Sequence, residues 1–265
     1  MEASASGPAS DAHAIVVEGL TRVFRRQTAV DHVSFRVARG RFFGFLGPNG
    51  AGKSTTIRML TGLLRPSAGD AIIEGARLSG DPIALKRRIG VLTEELPLYE
   101  RLTGEEHLLF AARMHGLPTL EARRRTQELL EFLSLADEGG KLVVDYSQGM
   151  RKKLALACAL VHRPSVLFLD EPLNGIDPIS GRVVTDLLRR LTARGVTLFF
   201  TSHVLDVVER LCDEVAVIDH GRIVAQGTLA EIRAQRSLGG EASLEDVFLR
   251  LVAADVRRED LSWTS

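Results

Sequence analysis

The sequence predicts an α/β fold in which helices cover a parallel sheet, with an antiparallel β edge sheet at one side and an inserted all-α subdomain. Three observations lead there. Apolar runs of strand length alternate with helical stretches in the early and late parts of the chain, as parallel strands with helical crossovers require. Between about residues 98 and 163, strand signals give way to helical segments rich in Leu, Ala, Glu and Arg. Near the N-terminus, two segments alternate apolar and polar residues with the period of a half-buried strand.

Taken in order, residues 15–20 and 31–37 are the edge strands. Phe42, Phe43, Gly44, Phe45 and Leu46 form an apolar run that stops at Gly47 and Pro48, as a buried strand would. The spacing turns helical over 54–64, and Gly62 and Pro66 mark its end. Turn chemistry from Pro66 to Gly69 precedes a strand at 71–74, and another is expected at 89–92. Helices are expected at 105–114, 120–133 and 149–161. Strands return at 166–169, 197–201 and 215–218, separated by helices at 182–192 and 204–211. A last amphipathic helix is expected at 244–253, and Trp263 falls in a loose polar tail. The expected division is a disordered arm at 1–13, an α/β core at 14–97 and 164–237, a helical subdomain at 98–163, and a C-terminal helix and tail at 238–265.

The 265 residues can bury a sizeable core, and 45% hydrophobic with 26% charged residues is ordinary for a soluble protein. Lys+Arg and Asp+Glu each total 34, and a net charge of zero argues against nucleic acid as the main ligand. The basic runs Arg123-Arg124-Arg125 and Arg151-Lys152-Lys153 are expected to be solvated helix faces. No apolar run approaches the ~20 residues of a membrane-spanning helix. The first 13 residues lack the apolar centre of a signal peptide. A soluble cytosolic protein is expected, and any task at a membrane would need spanning helices from a separate chain. Cys158 and Cys212 make no metal or redox spacing and are expected to be buried free thiols.

Gly47-Pro48-Asn49-Gly50-Ala51-Gly52-Lys53-Ser54 matches G-x-x-x-x-G-K-[ST], with a strand before it and a helix after, followed by Thr55. Glycines let backbone N–H groups turn around an anion, and the helix N-terminus adds partial positive charge. Lys53 would reach the β- and γ-phosphates of a nucleotide, and the Ser54 hydroxyl would bind Mg²⁺. Further on, the apolar run Val166 to Leu169 ends in Asp170, which a buried strand would deliver to the same Mg²⁺. The adjacent Glu171 could orient the attacking water or accept its proton. His203, after the strand at 197–201, would reach the γ-phosphate from a neighbouring strand.

With these pieces placed, the chain resembles the ABC (ATP-binding cassette) ATPases from about residue 15 to 235. Tyr146-Ser147-Gln148-Gly149-Met150 stands where that family has its LSGGQ-like signature, just before a helix and ahead of the Asp170 strand. The resemblance implies an α/β P-loop NTPase (RecA-like) core with ATP and Mg²⁺ as ligands. It implies that Ser147, Gln148 and Gly149 meet ATP held by the P-loop of a second copy. It makes Asp177 the D-loop aspartate, Phe24 the aromatic that stacks on adenine, and His203 the switch histidine. Two motifs depart from the family: in the signature Gln148 and Met150 stand in for a glycine and a glutamine, and Glu94 occupies the usual Q-loop glutamine position. Glu94 could still hold Mg²⁺ or water through an oxygen. Glu94, the stretch 98–103 and the stretch 243–248 look most like ATPases of ABC-2-type exporters.

The resemblance implies a homodimer that closes on two ATP molecules and drives a separate transmembrane permease from the cytoplasmic face, with no nucleic acid. A ribosomal or chromosomal ABC ATPase would carry a second cassette or a coiled coil. A P-loop kinase would need an acceptor other than water.

Overall fold

The computed structural model describes residues 12–202, 204–235, 245–246 and 248. The chain runs β1 (His13–Phe24), β2 (Gln27–Ala38), β3 (Phe42–Leu46), α1 (Lys53–Leu60), β4 (Ala68–Ile73), β5 (Ala76–Arg77), α2 (Pro82–Lys86) and β6 (Ile89–Leu92). Three α-helices follow with no strand between them: α3 (Gly104–Met114), α4 (Thr119–Phe132) and α5 (Gln148–Leu160). Then come β7 (Val166–Asp170), α6 (Pro178–Ala193), β8 (Thr197–Thr201), α7 (Leu205–Leu211), β9 (Glu214–Asp219), β10 (Arg222–Gly227) and α8 (Leu229–Gln235).

The larger sheet has the order β10-β9-β3-β8-β7-β6. Its strands are parallel from β9 to β6, and β10 joins antiparallel at the edge. Every residue of β3, β7 and β8 is buried, which is why these strands read as unbroken apolar runs rather than alternating ones. The smaller sheet, β2-β1-β4-β5, is antiparallel throughout, with Ile15 opposite both Val37 and Ile73.

One aromatic layer joins the two sheets. Phe35 from β2 lies 5.7 Å from the rings of Phe43, Phe45 and Phe199, and Phe168 lies 5.4 Å from Phe199. On the opposite face, Phe42, Leu46, Leu169 and Phe200 pack with Val184 and Leu188 of α6. A third cluster, with Leu108, Ala112, Ala122, Leu130, Leu154 and Val161, is the core of α3, α4 and α5. The helix starts are written locally. Thr103 and Glu106 form a capping box on α3, and Asp177 caps α6 just before Pro178.

Several boundaries differ from the sequence expectation. α1 stops at Leu60 because the Thr61 hydroxyl donates to Ile57 O at 2.8 Å and Gly62 turns with φ 70°. β1 runs on to Phe24 because β2 pairs with it to the end, with Phe24 opposite Gln27, whereas pairing with β4 stops at Thr21. α2, β5, β10 and α8 are additions. Residues 1–11, His203, Trp263 and nearly all of the expected 244–253 helix lie outside the described residues. Among those described, no helix is long and apolar enough to cross a membrane.

The basic runs are not simply solvated. Arg124 pairs on the surface with Glu121 and Glu128, but Arg125 is partly buried and donates to Val161 O at 2.7 Å. Arg151 pairs with Glu100, while Lys152 and Lys153 are buried. Cys158 and Cys212 are free and only partly buried as residues, and burial still pushes the Cys158 thiol up to about 12.

Where α3 meets the end of α5, the rings of His115 and His162 stack at 3.6 Å, and His162 Nε2 donates to Ile89 O at 2.9 Å. Burial, and after it the neighbouring His115, lowers the His162 pKa from 6.5 to about 4. The unfolded chain therefore binds the extra proton first, and stability is lost as pH falls from 6.5 towards 4. Between pH 7.5 and 5 the expected loss is about 1–2 kcal/mol, or about 3–6 °C in Tm. His162→Gln, which can keep the bond to Ile89, should flatten that dependence in melting curves.

Candidate active site at the phosphate loop

β3 delivers the loop from Gly47 to Gly52 to the C-terminal edge of the parallel sheet. A Cβ on Gly47 would lie 2.3 Å from Ile218 O of β9. Gly52 has φ 112°, and a Cβ there would lie 2.7 Å from Ala29 O. Both positions therefore require glycine. Lys53 is 8% exposed, and its Nζ donates to Gly47 O at 2.7 Å and Pro48 O at 3.1 Å, curling the loop around its own ammonium. The N-terminus of α1 has neither a side-chain cap nor an acidic residue in its first turn, so its N–H groups can meet an anion.

Asp170 ends β7, is 4% exposed, and accepts from the Thr201 hydroxyl at 2.6 Å. Glu171 N donates to the same Thr201 oxygen at 3.1 Å. Glu171 adopts φ 49°, so the chain turns sharply and consecutive carboxylates leave the strand in different directions.

A cavity of about 500 Å³ lies between these groups. It is lined by Asn49, Gly50, Gly52, Lys53, Ser54 and Thr55 together with Glu94, Asp170 and Glu171, and also by Ala29 and Asn174. Gly47, Pro48 and Ala51 belong to the same loop but do not line the cavity. Burial pulls the Lys53 pKa down, and Glu171, Asp170 and Glu94 oppose it.

Other residues expected in the site lie apart. Ser147 caps α5, accepting from Met150 N at 3.2 Å, with Gln148 and Gly149 in the first turn. Ser147 and Gln148 are exposed, and none of the three lines the phosphate cavity. Asp177 caps α6 through Ser180 N and Ile179 N, and hydrogen bonds from Ser180 first, then Ile179, hold its carboxyl below the usual range. It too lies outside the cavity. Phe24, at the end of β1, is 42% exposed with the Arg22 guanidinium 4.5 Å over its ring. His203 is outside the described residues.

The expectation of a solvated face missed Lys152. This residue is 5% exposed, and its Nζ donates to Glu171 O at 2.5 Å and Asn174 O at 2.7 Å. The helical period held the signal: Lys152 shares a stripe with Ala155, Leu156 and Ala159, all buried against the sheet.

The ABC transporter family model matches residues 30–174. The daunorubicin/doxorubicin resistance ATP-binding protein DrrA of Streptomyces peucetius is 42% identical, over 93% of this chain and 73% of that protein. A solved ATP binding subunit of an ABC transporter matches with TM-score 0.85 and 35% identity, covering 90% of this chain and 99% of that one. The ATP-binding cassette MJ0796, solved as a post-hydrolysis dimer bound to ADP and Pi, shares the fold with TM-score 0.76 and 22% identity over 81% and 98% of the two chains. Fold, phosphate loop and relatives agree, and the chain belongs to the ABC transporter family as an ATP-binding subunit.

Proposed function

We propose that this ABC ATPase works as a head-to-tail homodimer that closes on two ATP molecules and drives a separate membrane-spanning subunit. One observation carries the reading. Among the described residues, α1 and α5 are the α-helices with no acidic residue either at the N-cap or in the first turn, since Asp81 and Asp177 cap α2 and α6, but only α1 opens into the phosphate cavity. The signature at Ser147, Gln148 and Gly149 therefore has its anion to meet elsewhere, on a second copy.

In this reading the loop N–H groups, Lys53 and Thr55 bind the phosphates, and the exposed Phe24 ring stacks on adenine. Ser54, Asp170 and Glu94 would hold Mg²⁺, which supplies charge neutralisation at the phosphates when bound. The residues fit that ion. They offer a hydroxyl and two carboxylates rather than an all-protein cage, and Mg²⁺ binds through few carboxylates plus phosphates and water. Among the described residues, no group of three His, Cys, Asp or Glu side chains could hold a metal alone. Glu171 accepts the proton of the water whose oxygen attacks the γ-phosphorus, and the bond to the β-phosphate oxygen breaks to release ADP. Asp177, as the D-loop cap of α6, orients the loop after Glu171.

The absence of a spanning helix among the described residues supports a permease on another chain, with this protein peripheral on the cytoplasmic face. The name of DrrA, a drug resistance protein, supports outward transport. Zero net charge supports a protein partner rather than nucleic acid.

Gly149→Asp tests the dimer. A Cβ at Gly149 meets nothing closer than 3.7 Å, and an acidic residue in the first turn suits the helix dipole, so the fold should hold. The carboxylate would repel the partner's phosphate. The variant should keep its Tm and bind ATP, yet lose the ATP-induced dimer in analytical ultracentrifugation and lose turnover. A monomer hydrolysing ATP at the normal rate would overturn the composite site.

A further inference from the structure

The second turn of α5 carries Lys152, and its two hydrogen bonds reach both ends of one short turn. Glu171 opens that turn in a left-handed conformation that costs energy for a residue with a Cβ. Asn174 N closes it onto Glu171 O at 3.3 Å, a long bond. The Lys152 ammonium holds the Glu171 and Asn174 carbonyls at 2.5 and 2.7 Å, so it is the shorter and charge-assisted clamp. Burial pulls the Lys152 pKa down, and the carboxylates of Glu171, Glu94 and Asp170 push it back up. The same helix touches the loop again one residue further on. A Cβ on Gly175 would meet the Gln148 side chain at 2.9 Å, so the first turn of α5 lies directly on that backbone.

We propose that Lys152 is a positioning residue that ties the orientation of Glu171 to the placement of α5. This inference rests on the composite dimer. Each copy's α5 engages ATP in the partner's loop, and through Lys152 that engagement sets the same copy's Glu171 over its own ATP. Each site thereby senses whether the other is filled. The third carboxylate, Glu94, leaves the cavity rich in negative charge, and the buried Lys152 ammonium is close enough to feel all three carboxylates.

Lys152→Met keeps the aliphatic stem and removes the ammonium. Its kcat should fall about tenfold to a hundredfold, the scale of a misplaced catalytic group, while labelled ATP binds as to the wild type. The Hill coefficient for ATP hydrolysis should fall towards one. Lys152→Arg should restore both, because its fork offers several donors to the two carbonyls. In a Glu171→Gln background, Lys152→Met should add no further loss in single-turnover hydrolysis, since it acts through the group already removed. Wild-type kcat and Hill coefficient in Lys152→Met, or losses that multiply in the double variant, would overturn the proposal. If Lys152→Met does not accumulate as folded protein, Lys152→Gln is read by the same two outcomes. Gly149→Asp can fail its dimer test while Lys152→Met still lowers kcat with Lys152→Arg rescue, so the two readings can fall separately.

Discussion

Glu171→Gln is expected to reduce steady-state phosphate release by about 10²–10⁴-fold, the range a positioned general base contributes. The substitution leaves the backbone unchanged. The backbone bonds of residue 171, from its N–H to Thr201 and to its carbonyl from Lys152, remain available. Asp170 keeps its bond from Thr201. The carboxamide fills the same volume but accepts no proton. It also removes one negative charge from a cavity that must receive a polyphosphate, so ATP affinity should rise rather than fall. Phosphate release measured beside binding of labelled ATP separates the two effects. An equal loss of binding and turnover would mean that Glu171 shapes the pocket instead of acting on water.

The largest loss of stability is expected from Phe199→Ala. The Phe199 ring is fully buried and lies 5.2–5.7 Å from those of Phe35, Phe43, Phe45 and Phe168, at the seam between the two sheets. Removing it takes away buried apolar area and leaves a void that strands cannot easily close, a cost of about 3–5 kcal/mol. At this chain length that corresponds to a Tm lower by about 10 °C. Phe199→Leu should lose far less, since it refills most of the volume. Phe199 sits two residues before Thr201 on β8, so the alanine variant should also lose activity below its melting temperature. A Tm change of one or two degrees in thermal denaturation would mean that this layer packs loosely.

Sequence reading was sharpest where chemistry and local geometry coincide. The run of Phe42 to Leu46 before Gly47 needs no tertiary information, because a fully buried strand must be apolar on both faces. Asp170 and Glu171 were legible for the same reason. What stayed hidden depends on contacts distant in sequence. Ala29 reaches the cavity from β2, and Asn174 reaches it from the turn after β7. Lys152 itself was masked by its neighbour Arg151: three consecutive basic residues look like a surface, although consecutive helical positions point in different directions. β10 and α8 lack strong periodicity, and β10 takes its shape from pairing with β9. The roles of Phe24 and Asp177 came from family likeness alone, and neither residue borders the cavity of a single chain.

The strand that ends in the phosphate loop lies between β8 and β9, whose residues come 150 or more positions later. Gly221, at the turn beyond β9, also donates to Ala51 O within the loop at 3.0 Å. During synthesis, the loop emerges from the ribosome long before the two strands that flank β3. A nascent chain cut short of that turn carries the whole Gly47–Ser54 motif and cannot yet close it around a nucleotide. Such long-range pairing makes for slow folding. ATP therefore stabilises only a domain already complete, and cannot serve as a template for its assembly.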